Sequence, residues 1–330
     1  MRKKSVLITG VAGLIGSKLA KWIIDNTDFT VIGIDDFSGG YRENIPNGVI
    51  VHVGNAMHDL LDVFESSNIE YVFHFAAYAA EGLSPFIRKF NYQNNLVATA
   101  NVVNYCINYN VKRLVFTSSM AVYGVQHVPY LEGQIPIPVD PYGVAKYACE
   151  LDIKAAGEQF GLDWCILRPH NVYGPNQNIW DKYRNVLGIW MRQNLNGEPL
   201  TIFGDGTQKR AFSYIDDALP ILWQCAINPK TSKQIMNIGS DQEYTIKEAA
   251  EMLIQVMGSG TIEYHEARHE VWNAYSHHGK IKELLGYEEK TDLRTGLEKM
   301  WDWAKKQPSR KIKSMENLEV EKDFITLWKK

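Results

Sequence analysis

Six short runs in the first half of the chain are rich in apolar and β-branched residues along their length: SVLIT (5–9), TVIGID (30–35), VIVHV (49–53), YVFHFA (71–76), RLVFTS (113–118) and WCILRP (164–169). A strand with one face in water alternates apolar and polar residues, whereas a strand covered on both faces does not. Continuous runs therefore point to a parallel sheet with helices on each side. The segments between them read as helices. Over 14–26, LIGSKLAKWIIDN, the side chains of Leu14, Ile15, Leu19, Trp22 and Ile23 fall on one stripe. Longer helical stretches cover 91–109 and 142–160. This order predicts an α/β fold, a doubly wound parallel sheet of the Rossmann type with right-handed crossovers. Past 170 the rhythm loosens, and Gly, Pro and Asn cluster in NVYGPNQN (171–178). The expected organisation is a dinucleotide-binding domain over 1–170 and a smaller α/β domain over 171–330 that exchanges elements with the first.

Composition narrows the function classes. The 330 residues are 45% hydrophobic and 22% charged, with a net charge of −3. That balance argues against a nucleic-acid binder, which would carry a basic excess. The basic tip MRKK precedes an apolar run too short for a signal segment, and no stretch approaches the eighteen or so apolar residues of a membrane span. Cys106, Cys149, Cys165 and Cys225 form no CxxC pair; they read as reduced thiols of a cytoplasmic protein. His277 and His278 have no carboxylate or thiol at ligand spacing, so no metal is expected.

TGVAGLIG (9–16) puts Gly10, Gly13 and Gly16 between the first strand and the first helix. Glycines there permit the tight turn and let backbone amides at a helix N-terminus approach a pyrophosphate. The second strand ends at Asp35, nineteen residues past Gly16. A carboxylate there accepts from ribose hydroxyls and repels a 2′-phosphate, which favours NAD over NADP.

A candidate base lies downstream. Tyr142 is the only tyrosine with a lysine, Lys146, four residues on, and Pro141 gives the segment the look of a helix start. A free phenol titrates near ~10, so a base working near neutrality needs a drop of roughly 3 pH units, or about 4 kcal/mol. Lys146 and a cationic nicotinamide are expected to supply it together. Ser119 follows the strand RLVFTS, at a carboxyl end where open α/β sheets place ligands. Without further context such a trio is also what an exposed helix face and a loop offer.

As a set, TGVAGLIG, DDFSGGYREN (35–44), FHFAA (73–77), SSMAVYG (118–124), YGVAK (142–146), LRPHNVYGP (167–175), GDGTQKRAFSYIDD (204–217) and RHEVWNAYS (268–276) resemble the extended short-chain dehydrogenase/reductases, and within them the UDP-hexose 4-epimerases. The resemblance runs from residue 5 to about 305. It implies NAD as cofactor and a UDP-sugar as substrate, oxidised at carbon 4 and reduced again on the other face. Ser119, Tyr142 and Lys146 would be catalytic. Leu14, Ile15, Asp36, Phe37 and Gly40 would join the three glycines and Asp35 on NAD. So would Asn55, Ala56, Phe75, Ala76, Ala77, Asn95, Ser118 and Pro169. The substrate side would use Ala79, Ser119, Met120, Tyr142, Asn171, Arg210, Arg268 and Ala274. Ala274 would be a small gate beside carbon 2 of the sugar, leaving room for an N-acetyl group. Thr117 is followed by Ser118, Ser119 and Met120 rather than by the acid pair of the related dehydratases. Asn55–Ala56 replaces the family's usual Asp–Ile, Ala211 an aspartate and His170 an aromatic residue. A lone histidine such as His170 is more often a packing or hydrogen-bonding group than a catalytic one.

The resemblance also implies a homodimer built on the 91–109 and 142–160 helices, with no nucleic-acid or membrane partner. In the tail, 306–330, Leu318, Val320, Phe324, Leu327 and Trp328 could pack back on the body. Two other readings stay open: another nucleotide-sugar dehydratase, reductase or epimerase of this superfamily, and a non-catalytic NAD-binding regulator.

Overall fold

The computed structural model describes residues 3–312, 315, 318–325 and 328. Seven parallel strands make the central sheet: β1 (Lys4–Thr9), β2 (Thr30–Asp35), β3 (Ile50–Val53), β4 (Asn68–His74), β5 (Arg113–Thr117), β6 (Trp164–Pro169) and β7 (Gln234–Ile238). Their order is β3-β2-β1-β4-β5-β6-β7. The order reverses between β1 and β4, and open sheets of this kind bind ligands outside the strands' carboxyl ends at such a switch.

The longer helices are α1 (Leu14–Asn26), α2 (Ala98–Asn108), α3 (Pro141–Phe160), α4 (Val186–Leu195), α5 (Ile215–Ile227), α6 (Ile246–Met257) and α7 (Leu293–Ala304). Val6 and Ile8 of β1 pack with Leu19 and Ile23 of α1 and with Leu222 and Trp223 of α5. Leu7 points the other way, into a layer with Val102 of α2 and Cys149 and Ile153 of α3. Both faces are covered, which is why the strand sequences do not alternate.

The expected single helix over 91–109 is interrupted. A helix at Arg88–Tyr92 passes through a π-helical turn, Gln93–Val97, before α2 begins. Single π turns of this sort are frequently found at functional sites, and this one carries Asn95.

Residues beyond 170 serve two cores. α5 and β7 complete the central sheet and its cover. α4, α6 and α7 build a second core around Trp190, Leu253, Leu297 and Met300. The tail lies on the body: the Glu319 carboxylate accepts the Lys89 and Phe90 amides at 2.6 and 2.8 Å. Phe324 and Trp328 are buried against Leu83, Ile87 and Tyr183, with Leu318 packed alongside. Val320 stays exposed, and Leu327 is outside the described residues. Among the described residues no helix is long and apolar enough to cross a membrane. The four cysteines are buried and unbonded.

Candidate active site

A cleft of about 1530 Å³ runs across the carboxyl ends of the strands. Its floor is the turn from β1 into α1. Gly10 has φ +75°, and a side chain on Gly16 would start 2.2 Å from the Gly10 carbonyl oxygen. Only glycines let the strand and helix approach this closely, and the approach aims the first-turn amides of α1 into the cleft. Asp35 closes the turn from beside it. Its Oδ2 accepts the Ala12 amide and its Oδ1 the Phe37 amide, both at 2.8 Å. Burial raises this carboxyl above the ordinary range, and the two amides pull it back. Gly40 packs on the same turn, where a side chain would meet the Ala12 carbonyl at 2.3 Å.

Under the turn, His74 bridges Thr9 (2.6 Å) and Thr99 (3.0 Å). Burial drives this imidazole down to about 3, so it is a neutral strut. Thr9 in turn accepts the Ala76 amide at 3.1 Å and holds Phe75–Ala77 along the cleft. Asn95 is buried behind this segment, with its amide exchanging bonds with the Tyr78 backbone. It therefore positions the wall and does not line it. Phe37 is likewise not on the lining. Asn55 does line the cleft, but its oxygen already accepts the Met57 amide (3.0 Å) and its nitrogen donates to Asp36 (2.8 Å).

Tyr142 sits one residue into α3. Pro141 occupies the first helical position, and the Asp140 side chain caps the helix through the Gly143 amide at 2.9 Å. Ser119 caps the short turn after β5, accepting the Ala121 amide at 3.1 Å, and its hydroxyl stands close enough to the Tyr142 phenol to pull it down. Lys146 is buried one turn further along, donating to the Thr117 carbonyl at 2.8 Å and lying 4.7 Å from the Phe116 ring centre. Burial pulls its ammonium down to about 8.

Lys146 Nζ also stands 6.0 Å from the Tyr142 ring centre. Burial pushes the Tyr142 phenol up, and Ser119 and then Arg184 are what pull against it. The lysine's own charge is spent on the Thr117 carbonyl and penalised by burial. Beneath the trio, Glu150 and Arg168 form a fully buried pair at 2.9 and 2.7 Å, and Ser118 donates to the same carboxylate at 2.5 Å. Ser118 and Pro169 line the cleft above that pair.

The far end is built from the short strand Lys209–Ala211 and from loops. Arg210 donates to the carbonyls of Lys209, Val271 and Trp272, and Arg268 lies 4.8 Å over the Phe203 ring. Glu270 bridges the two guanidinium groups at 3.3 and 3.1 Å. The two arginines thus meet in the cleft, already gathered round one carboxylate. Asn171 donates to the Ala211 carbonyl at 2.9 Å with its backbone left-handed at φ +40°. His170 is buried between that carbonyl and His278, and burial keeps it neutral, near 3. Ala79 is open to the cleft. Ala274 and Met120 are not on the lining: both sit in a buried cluster with Tyr123, Tyr130 and Val271, and Ala274 bridges backbone to backbone with Arg210.

The model of the NAD-dependent epimerase/dehydratase family matches residues 6–239. The chain belongs to this family. It is 32% identical over 305 residues to a putative UDP-glucose 4-epimerase of Methanocaldococcus jannaschii, covering 91% of this chain and 98% of that protein. It superposes on a UDP-N-acetylglucosamine 4-epimerase of Methanobrevibacter ruminantium with TM-score 0.84 and 29% identity, over 92% of this chain and 98% of that one. The UDP-glucuronic acid 4-epimerase of Bacillus cereus gives TM-score 0.84 and 29% identity, over 92% and 99%. NAD is the family's cofactor, and the residues present fit it. The side-chain-free turn at Gly10–Gly16 offers amides to a pyrophosphate, and Asp35 keeps unused lone pairs for ribose hydroxyls.

Beyond this family pattern, several groups in the cleft escaped the sequence. The guanidinium of Arg184 lies over the dinucleotide turn, its terminal nitrogens 2.7 Å from where a side chain on Gly39 would begin. It also lies 4.8 Å from the Tyr78 ring centre. Arg192 is buried at the nucleotide end with no bond to its Nε. Glu81 faces the cleft between Tyr142 and the arginine pair. Phe324 and Trp328 form part of its wall. Isolated arginines in DKYRN and WMRQN look like any surface arginine, and nothing in the tail's sequence says where it lands. The one available signal was AAYAAEGLS, an acid set in a small-residue run directly after FHFAA.

Proposed function

We propose that this chain interconverts UDP-hexoses at carbon 4, taking UDP-glucose and UDP-galactose and the N-acetylated pair, through a transient 4-keto sugar. The observation that carries this is the Tyr142 phenol beside Ser119 in a cleft that also holds the dinucleotide turn and the arginine pair. NAD, when bound, supplies the redox chemistry at carbon 4 and, oxidised, a positive charge that favours the phenolate.

The chain's own groups do the rest. Tyr142 takes the proton of the 4-hydroxyl and returns it, with Ser119 holding the oxygen in line. Lys146 holds the nicotinamide-side ribose. Asp35 holds the adenosine ribose, and Arg184 adds charge over the pyrophosphate turn. Arg268, with Arg210 braced behind it, receives the diphosphate of the substrate. The acid pair that expels water in the dehydratases is absent after Thr117, which leaves oxidation and return. Support for the N-acetyl substrates comes from the small Ala79 on the lining and from the M. ruminantium relative, and no longer from Ala274. Val97, Val144 and Leu151 project into solvent from the π turn and α3; we place the contact between two copies there.

Proton NMR of the NAD-loaded protein with UDP-glucose or UDP-N-acetylglucosamine, without reductant, tests the reading. The galacto-configured product is expected from both. Accumulation of a 4-keto sugar, or no change in any UDP-hexose, would overturn it.

A further inference from the structure

Glu81 opens the short 3₁₀ turn Glu81–Phe86 on the wall of the cleft. Its backbone is tied to the proton-transfer end. The Ser84 hydroxyl donates to the Glu81 carbonyl at 2.8 Å, lies 3.3 Å from Asp140 Oδ1, and accepts the Tyr142 amide at 3.2 Å. The next residue faces the anion-binding end. A side chain on Gly82 would begin 3.6 Å from Arg268 Nη1 and 3.3 Å from the Trp328 ring. Glu81 therefore stands between the phenol and the guanidinium groups, and its charge is felt at Tyr142. Among the described residues nothing donates a hydrogen bond to its carboxylate, although the side chain is open to the cleft. Arg210 and Arg268, the nearest cations, are already gathered by Glu270.

A UDP-sugar with its 4-hydroxyl at Tyr142 and its diphosphate at Arg268 must lay its hexose ring across the place where Glu81 stands; this step rests on the reading above. We propose that Glu81 is a charge filter on the sugar, accepting hydrogen bonds from a hexose whose carbon 6 is a neutral hydroxymethyl and rejecting one whose carbon 6 is a carboxylate. Relatives of both kinds belong to this fold, so the choice is a real one for such a cleft. The site already resists one negative charge. Enclosure by the cleft walls, although water reaches the side chain, and then Asp140 push the Glu81 carboxyl up to about 7, with Arg210 and Arg268 pulling down and Glu270 pushing up again. A second carboxylate brought alongside meets the like charge of Glu81, with Asp140 and Glu270 close by, which specificity by repulsion exploits.

The test compares binding of UDP-glucose and UDP-glucuronate to the NAD-loaded protein at pH 8 by calorimetry, in the wild type and in Glu81→Gln, with turnover followed by NMR on the same samples. The wild type should bind UDP-glucose at least tenfold more tightly. The Gln variant, which keeps the shape and removes the charge, should shrink that ratio at least tenfold, chiefly by gaining affinity for UDP-glucuronate. A ratio unmoved by the substitution overturns the filter, as does a wild type that binds both sugars alike. If Glu81→Gln fails to fold, Glu81→Ser gives the same readout. A wild type that turns over no UDP-hexose, but whose affinity ratio collapses in the variant, keeps the filter and removes the epimerase reading.

Discussion

The two ends of the cleft are built in different ways. The dinucleotide end is made by contiguous motifs at the ends of adjacent strands and is locked internally: Asp35 staples the Ala12 turn, Thr9 holds Ala76, and Lys146 holds Thr117. The nucleotide-sugar end is collected from segments far apart in sequence. Arg210 comes from the short strand Lys209–Ala211, Arg268 from a loop, Glu81 from the turn after β4, and Trp328 from the tail. Every member of the first end has its backbone set by the sheet. The members of the second depend on one another, through Glu270 and through the tail's contacts with Phe86 and Tyr183. The comparison teaches that the dinucleotide turn is fixed by the sheet, while the arginine end is fixed by contacts among distant segments that can change without disturbing it.

Three changes would break or sharpen that contrast. Tyr142 lies at the seam, so Tyr142→Phe should abolish chemistry and leave both ends intact. Turnover should fall on the order of 10³-fold, as for loss of a general acid–base group, with bound NAD and UDP-sugar affinity unchanged. Retained turnover would remove Tyr142 from the mechanism, and lost NAD would mean that the two ends are not separable.

A smaller effect, confined to the dinucleotide end, is the pH response of Lys146. Its ammonium is depressed from 10.5 to about 8. Between those pH values the folded chain holds fewer protons at this site than the unfolded chain, so stability rises with pH across that window. Below pH 8 both states are charged there, and the cost of the buried charge is present in full. Lys146→Met removes this response. The stability difference between the NAD-free wild type and Lys146→Met should change by about 3 kcal/mol from pH 7.5 to pH 10.5, measured by urea denaturation. An equal difference at both pH values would show that Lys146 is not held in a desolvated site.

The smallest effect belongs to the tail. Trp328→Ala should raise KM for the UDP-sugar about three- to tenfold, roughly 1 kcal/mol, with kcat and NAD content unmoved. A change in NAD content instead would place the tail against the wrong end of the cleft.

Much of the dinucleotide end was legible because each residue there is fixed by its neighbours in sequence. Gly10 and Gly16 meet within one turn, and Asp35 follows one strand later. Asn95 was visible as a residue but not in its role, because the π turn that buries it behind Tyr78 depends on packing against α3. Ala274 was misplaced for a related reason. Its distance from the sugar is set by the backbone bridge to Arg210 and by the tyrosine cluster beneath it, and neither appears in the order of residues. The full surroundings of the Tyr142 phenol were not legible, because the spacing of four residues puts Lys146 on the same face but says nothing of Arg184, of the Thr117 carbonyl that accepts from the ammonium, or of the burial around both.

By itself the sequence determined a parallel sheet covered on both faces, the side-chain-free turn that leads into α1, and a phenol and an ammonium one helical turn apart on α3. Those follow from local rules: the period of the apolar residues, the steric freedom of glycine, and the 3.6-residue turn. Only the tertiary structure decided which side chains meet around the cleft. Glu81, Arg184, Arg268 and Trp328 are separated along the chain by loops and whole elements, and their meeting is set by how the segments beyond β6 and the tail pack over the carboxyl ends of the strands. Burial and mutual charge then fix what each can do, and both are properties of neighbours that only folding supplies.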